Sequence, residues 1–126
     1  MLSGKRILVT GANGGIGFSI SELFLKNNAK LVLFYHKNKN SIEKLSQYKN
    51  SMDTYQVDLL NDTDIETSIK AALGNGPIDG FIHSVSHSLD MKSFSDLDWN
   101  DFQSQINLQT RSFFNITKSV IPSMKS

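Results

Sequence analysis

The sequence predicts an α/β fold built on a doubly wound parallel sheet. Three observations carry the prediction. Short apolar runs at residues 5–9, 30–35, 52–57 and 78–84 alternate with stretches of helical periodicity. The connections between them are short. The first run also leads straight into a cluster of glycines and then into a helical pattern. Strands that alternate with helices over short loops form parallel sheets with helices on both faces.

Each element follows from its own residues. Residues 5–9 end in an apolar run with β-branched members, as a buried strand does. After the glycines, Ile16, Ile20, Leu23 and Phe24 recur at one-face spacing and predict a helix over 15–27. Asn27 and Asn28 stop it, because Asn tolerates the left-handed conformation at a helix end. Residues 30–35 (KLVLFY) are a second buried strand, and residues 37–40 a polar loop. Ser41 is the N-cap of a short helix carrying Ile42, Leu45 and Tyr48. Residues 52–57 form a third strand, less apolar and therefore near an edge. Asn61 or Asp62 caps a helix with Ile65, Ile69, Ala72 and Leu73 on one face, and Asp64 and Glu66 complement its dipole. Gly74, Gly76 and Pro77 end that helix. Residues 78–84 are the fourth strand and residues 86–95 a polar loop. A long helix over 98–124 sets Trp99, Phe102, Ile106, Phe113, Phe114, Thr117 and Ile121 close to one stripe. The expected strand order is 3-2-1-4, with a ligand crevice at the carboxyl ends of strands 1 and 4.

Bulk properties narrow the function. A chain of 126 residues with 39% hydrophobic residues is one domain with a real core. A net charge of +1 gives no global field for nucleic acid or an anionic membrane. No apolar run approaches ~18 residues, and no signal-peptide pattern precedes the first strand. The absence of cysteine excludes disulfides and thiolate metal sites and suits a cytoplasmic protein. His83 and His87 are joined by no carboxylate at a zinc spacing, so no metal is expected.

Strand, glycine turn and helix open a dinucleotide-binding unit. The chain reverses tightly, the backbone approaches a pyrophosphate, and the helix start offers free N–H groups and a positive dipole end. The spacing is neither G-x-G-x-x-G nor a P-loop. It is Thr-Gly-x-x-x-Gly-x-Gly, at Thr10, Gly11, Gly15 and Gly17. A glycine-rich turn that binds nothing is the alternative on these residues alone. The pattern resembles the cofactor loop of the short-chain dehydrogenase/reductase family. The resemblance implies a Rossmann-type fold and a nicotinamide dinucleotide held by Thr10, Gly11, Asn13, Gly14, Gly15, Ile16 and Gly17.

The end of the second strand reads Tyr35-His36-Lys37-Asn38-Lys39, with no acid before Glu43. An NAD site of this type usually has a carboxylate there for the ribose 2′-OH. Its absence, with Lys37 and Lys39 present, favours NADP(H) over NAD(H), and His36 and Lys37 are the residues placed to read the 2′-phosphate. A solvated basic loop is the alternative. Gly14 weighs the other way, since many NADP-preferring members of the family carry Arg or Lys at that place. Asp58 matches the family's adenine-binding Asp, with Leu59 beside it; from the residues alone Asp58 is equally a turn or cap residue. Residues 79–86 are similar to the family's D-x-x-V-N-N-A-G, but His83, Ser84, Val85 and Ser86 replace Asn, Asn, Ala and Gly. Ser84, Val85 and Ser86 still let the backbone pass close to a cofactor, and His83 is expected to be a hydrogen-bonded structural residue. Asn107 is a poor interior helix residue. It matches the Asn that supports the family's catalytic proton relay.

The family's reductases follow with a Ser and a Tyr-x-x-x-Lys. Here Tyr35-x-x-x-Lys39 spans a strand end and a loop and does not qualify. The resemblance therefore implies one NAD(P)-binding domain over residues 1–126, incomplete at its C-terminus. The intact enzyme is expected to reduce a carbonyl such as a 3-oxoacyl thioester, on a small molecule or an acyl carrier. The chain alone is expected not to turn over. Strand 4 is expected to be an edge carrying Phe81 and Ile82, covered by a second copy, a loop or a helix, and the protein to be a homo-oligomer. The other class of reading is a non-catalytic nucleotide-binding or assembly module.

Overall fold

The computed structural model describes residues 2–37, 40–85 and 94–124. Four strands, β1 (Arg6–Thr10), β2 (Lys30–Tyr35), β3 (Met52–Gln56) and β4 (Gly80–His83), form one parallel sheet in the order β3-β2-β1-β4. The helices are α1 (Gly15–Lys26), α2 (Asn40–Glu43), α3 (Asp62–Leu73), α4 (Trp99–Gln105) and α5 (Ser112–Met124). Alternate side chains of the sheet feed two cores. Leu8, Val32 and Phe34 pack with Ile65, Ile69, Ile116 and Val120 on the face covered by α3 and α5. Ile7, Val9, Leu31 and Leu33 pack with Leu25, Ile42 and Leu45 on the other face. This is the doubly wound arrangement expected from the alternation of strands and helices.

Several local readings hold with small shifts. Asn28 ends the α1 region at φ +66. The Asn61 side chain accepts from the Asp64 N–H and caps α3. β3 is an edge strand and half exposed. The helix expected after Ser41 is shorter. α2 stops at Glu43, a 3₁₀ stretch takes Ser46–Ser51, and only Ile42 and Leu45 are fully buried.

The helix faces need correction. On α1, Ile16 and Leu23 are 72% and 57% exposed, and the buried residues are Gly17, Ser21 and Leu25. Gly17 dictates this. A Cβ there would lie 2.1 Å from the Gly11 carbonyl oxygen, so only glycine can face the loop, and i+4 spacing turns Ser21 and Leu25 inward after it. The helix expected over 98–124 is interrupted by a π-helical turn, Ile106–Arg111, between α4 and α5. The wider turn shifts the phase of everything after it. Trp99, Phe102, Ile106, Phe113, Phe114 and Ile121 are all exposed, whereas Ser112, Ile116 and Val120 face the sheet. The inward serines turn their hydroxyls onto their own helices: Ser21 to the Gly17 carbonyl and Ser112 to the Leu108 carbonyl.

The amino ends of the strands are tied by Arg6. Its buried guanidinium donates to the Ala72 and Gly76 carbonyls at 2.7 Å each and pairs with Asp53 at 2.8 Å. The Arg6 N–H donates to the Asp79 carboxylate. β4 is the other edge of the sheet, and its Phe81 ring stacks on Phe113 of α5 at 5.7 Å.

Candidate functional site

At the opposite, carboxyl ends of the strands lies a cleft of about 520 Å³. The glycine loop contributes Gly11, Asn13 and Gly14 to its wall. The end of β2 contributes Phe34, Tyr35, His36 and Lys37; the segment after β3 contributes Val57, Asp58, Leu59 and Leu60. Ser84 and Val85 follow β4, and Leu108 comes from the π-turn. The structure therefore brings Gly11, Asn13, Gly14, His36, Lys37, Asp58, Leu59, Ser84 and Val85 to one place, whereas Gly15, Ile16 and Gly17 are not part of its lining. Phe34, Tyr35, Val57, Leu60 and Leu108 were not among the predicted site residues. Four of the five lie at or just after the carboxyl end of a strand, which is the signal that could have found them. Leu108 gives no such signal, because its place depends on the π-turn.

The glycines divide by what surrounds them. Gly11 sits at φ +65, and a Cβ on it would lie 2.6 Å from the Ser84 carbonyl oxygen. Gly11 and Gly17 are thus required by the fold itself. At Gly15 a Cβ would meet no atom of the described residues within 4 Å. It is the first residue of α1, where backbone N–H groups lack helical partners. Open space, free donors and a positive helix end coincide there, and that combination suits an anion approaching the backbone. Ile16 is exposed rather than packed.

Asp58 is held in place. Its Oδ1 accepts from the Leu60 N–H at 3.0 Å, and its own N–H donates to Asp64 Oδ2 at 2.7 Å. It is at once a turn residue and part of the cleft wall. His36 and Lys37 are exposed, and Gln56 Nε2 donates to the His36 carbonyl at 2.8 Å, anchoring that loop to β3. Asn38 and Lys39 lie outside the described residues, as do Ser86 and His87.

Thr10 is fully buried beneath the loop rather than in the cleft. Its hydroxyl lies 2.8 Å from His83 Nδ1, and the Ser84 N–H donates to it at 3.3 Å. Ser84 Oγ donates to the Thr10 carbonyl at 2.6 Å, so this side chain clamps the loop. His83 Nε2 lies 3.0 Å from the Gln109 carbonyl. A carbonyl only accepts, so Nε2 carries the proton and Nδ1 accepts from Thr10. Burial pushes the His83 pKa below its ordinary 6.5, and the bond to Gln109 offsets part of that shift. His83 is therefore a neutral, hydrogen-bonded residue. Asn107 is half-buried within the π-turn, one residue before Leu108 of the cleft wall. Among the described residues no cluster of His, Asp and Glu is arranged to hold a metal ion. No helix of the described residues is long and apolar enough to cross a membrane.

Residues 5–126 match the family model described as short chain dehydrogenase. The chain belongs to this family. Relatives of this short-chain dehydrogenase include the uncharacterized oxidoreductase YmfI of Bacillus subtilis (strain 168). It is 30% identical over 125 residues, covering 95% of this chain and 50% of that protein. Oxidoreductase UcpA of Salmonella typhimurium is 28% identical over 128 residues, covering 98% of this chain and 48% of that protein. The chain spans about half the length of the curated relatives it matches. In fold it is similar to the 3-ketoacyl-(acyl-carrier-protein) reductase from Brucella melitensis complexed with NADH. That match has a TM-score of 0.88 and 23% identity, over 99% of this chain and 52% of the other. A blue fluorescent protein from a metagenomic library, in complex with NADPH, matches with a TM-score of 0.87 at 22% identity, over 98% of this chain and 52% of the other.

Proposed function

We propose that residues 1–126 are the cofactor-binding part of an NADP(H)-preferring oxidoreductase. The observation that carries this reading is the open space at Gly15. It lies at the start of α1, one residue after Gly14, which lines the same cleft as Lys37 and Asp58. Gly11, Asn13, Gly14, Gly15, Ile16 and Gly17 bring backbone to the pyrophosphate, and Ser84 and Val85 line the passage toward the nicotinamide. Thr10 supports the loop from beneath. His36 and Lys37 read the 2′-phosphate, supported by the absence of a carboxylate before Glu43. Asp58 accepts from the adenine amino group beside Leu59.

The nicotinamide ring, when bound, supplies or takes up the hydride. This chain's part is to bind and orient, with Asn107 supporting the proton relay from the π-turn. The proton donor itself, a Tyr with its Lys and a Ser, is absent from residues 1–126, so this stretch alone does not turn over. For the whole protein the proposed reaction is reduction of a carbonyl, such as a 3-oxoacyl thioester, on a small molecule or acyl carrier. Self-association as a homo-oligomer in the cytoplasm completes the proposal, with the exposed Trp99, Phe102 and Phe114 as its surface.

Calorimetric titration with NADPH and NADH tests the reading. NADPH is expected to bind at least ten-fold more tightly, a difference of about 1.4 kcal/mol. Equal affinities overturn the NADP preference, and no binding of either nucleotide overturns the cofactor assignment.

A further inference from the structure

The π-turn between α4 and α5 changes the hydrogen-bond register, and the carbonyls where it closes find unusual partners. The Asn107 carbonyl accepts from the Ser112 N–H. The Leu108 carbonyl accepts from the Ser112 hydroxyl. The Gln109 carbonyl accepts from His83 Nε2, 26 residues away in sequence on the end of β4. Ser112 Oγ also lies 3.3 Å from that nitrogen, so serine and histidine meet at the turn. On its other side the imidazole accepts from Thr10, the residue that begins the glycine loop. Thr10 and Ser84 are joined by two further bonds, so loop and strand end move together. The rings of Phe81 and Phe113, stacked on each other, pack against the imidazole at 5.5 and 5.7 Å.

We propose that His83 is a positioning residue: its neutral imidazole holds the π-turn in register and ties it, and with it Asn107, to the glycine loop through Thr10. The coupling rests on the cofactor reading above. If the loop closes on a dinucleotide, Thr10 Oγ1 shifts with it. The imidazole transmits that shift to the Gln109 carbonyl, two residues from Asn107. Family members with Asn at this place have a shorter side chain that presents a donor and an acceptor from one amide. Histidine separates the two functions across a ring, and here each ring nitrogen meets a different element of the fold.

The test combines imidazole ¹⁵N shifts with amide hydrogen exchange on the full chain. In the wild type, His83 is expected in the Nε2–H form at neutral pH. His83→Leu removes both bonds, and exchange at residues 109–112 is expected to speed up at least ten-fold while β1 and β2 stay protected. His83→Gln offers an amide oxygen to Thr10 and an N–H to Gln109. It is expected to bring exchange back to within about three-fold of wild type. NADPH is expected to slow exchange at residues 109–112 in the wild type and in His83→Gln, but not in His83→Leu. An Nδ1–H tautomer overturns the tie, and that measurement stands even if His83→Leu fails to fold. So does a folded His83→Leu that exchanges like the wild type. A wild type that binds no NADPH overturns the cofactor reading and the coupling built on it. The tie itself is decided separately by the apo exchange and the tautomer.

Discussion

Substituting Gly15 and Gly17 separately by alanine distinguishes a glycine kept for the ligand from one kept for the fold. At Gly15 the added methyl meets none of the described residues within 4 Å, and the residue is already helical. Alanine there narrows the unfolded ensemble and favours the helix, a gain of roughly 0.5–1 kcal/mol. For a domain of this size that raises Tm by roughly 2–4 °C. The same methyl occupies the space proposed for the pyrophosphate, so NADPH affinity should fall at least ten-fold. At Gly17 the methyl would lie 2.1 Å from the Gly11 oxygen and 2.7 Å from Ser84 Oγ. Such overlap moves backbone, at a cost of roughly 3 kcal/mol, and lowers Tm by roughly 10 °C. Scanning calorimetry and NADPH titration on both variants decide the matter. Gly15→Ala with wild-type affinity for NADPH refutes the assignment of that space to the cofactor. Gly15→Ala with the stability loss of Gly17→Ala refutes the reading of the local geometry.

Three further outcomes follow from other residues. Lys37→Glu should weaken NADPH roughly five- to thirty-fold and NADH far less. An exposed charge about 4 Å from a phosphate contributes about 1 kcal/mol in water, and reversal doubles the effect; competition binding with both nucleotides measures it. Arg6→Leu should cost roughly 3 kcal/mol in urea unfolding, because the Ala72 and Gly76 carbonyls lose their donor. The contribution of half-exposed Asp53 is smaller. Stability should fall as pH drops below 6.5, because the unfolded chain protonates His83 there while the folded chain, with its lowered pKa, does not. His83→Gln should flatten that part of the pH–stability curve, and an unchanged slope would contradict the half-buried neutral imidazole.

The strand order and the cleft were legible because they depend on period and on chain order. Buried five-residue runs such as Arg6–Thr10 and an N-cap such as Asn61 announce themselves locally. The helix faces did not, because size decided them where hydrophobicity was the guide. Ile16 and Leu23 look like core residues, yet the close approach of Gly17 to Gly11 turns them outward. Ser21 and Ser112 look like surface residues, yet each hides its hydroxyl on its own helix and is fully buried. Of the residues lining the cleft, Gly11 was legible from the glycine spacing, Lys37 from its place after the second strand, and Asp58 only through the family resemblance. Leu108 and the bond from His83 to Gln109 were not, because both depend on one extra residue in a helical turn.

The pairing of β1 also has a temporal side. Thr10 finds His83 only 73 residues later in the chain. At 5–20 residues per second a ribosome takes roughly 4–15 s to cover that interval. Within it β2 and then β3 emerge and can assemble on one side of β1, while Leu8 and Val9 wait with their other flank unpaired. Those two residues, wholly shielded in the finished sheet, form the sticky edge of the nascent protein. Slow codons placed between residues 40 and 80 would lengthen that exposure, and nascent-chain aggregation would rise with it.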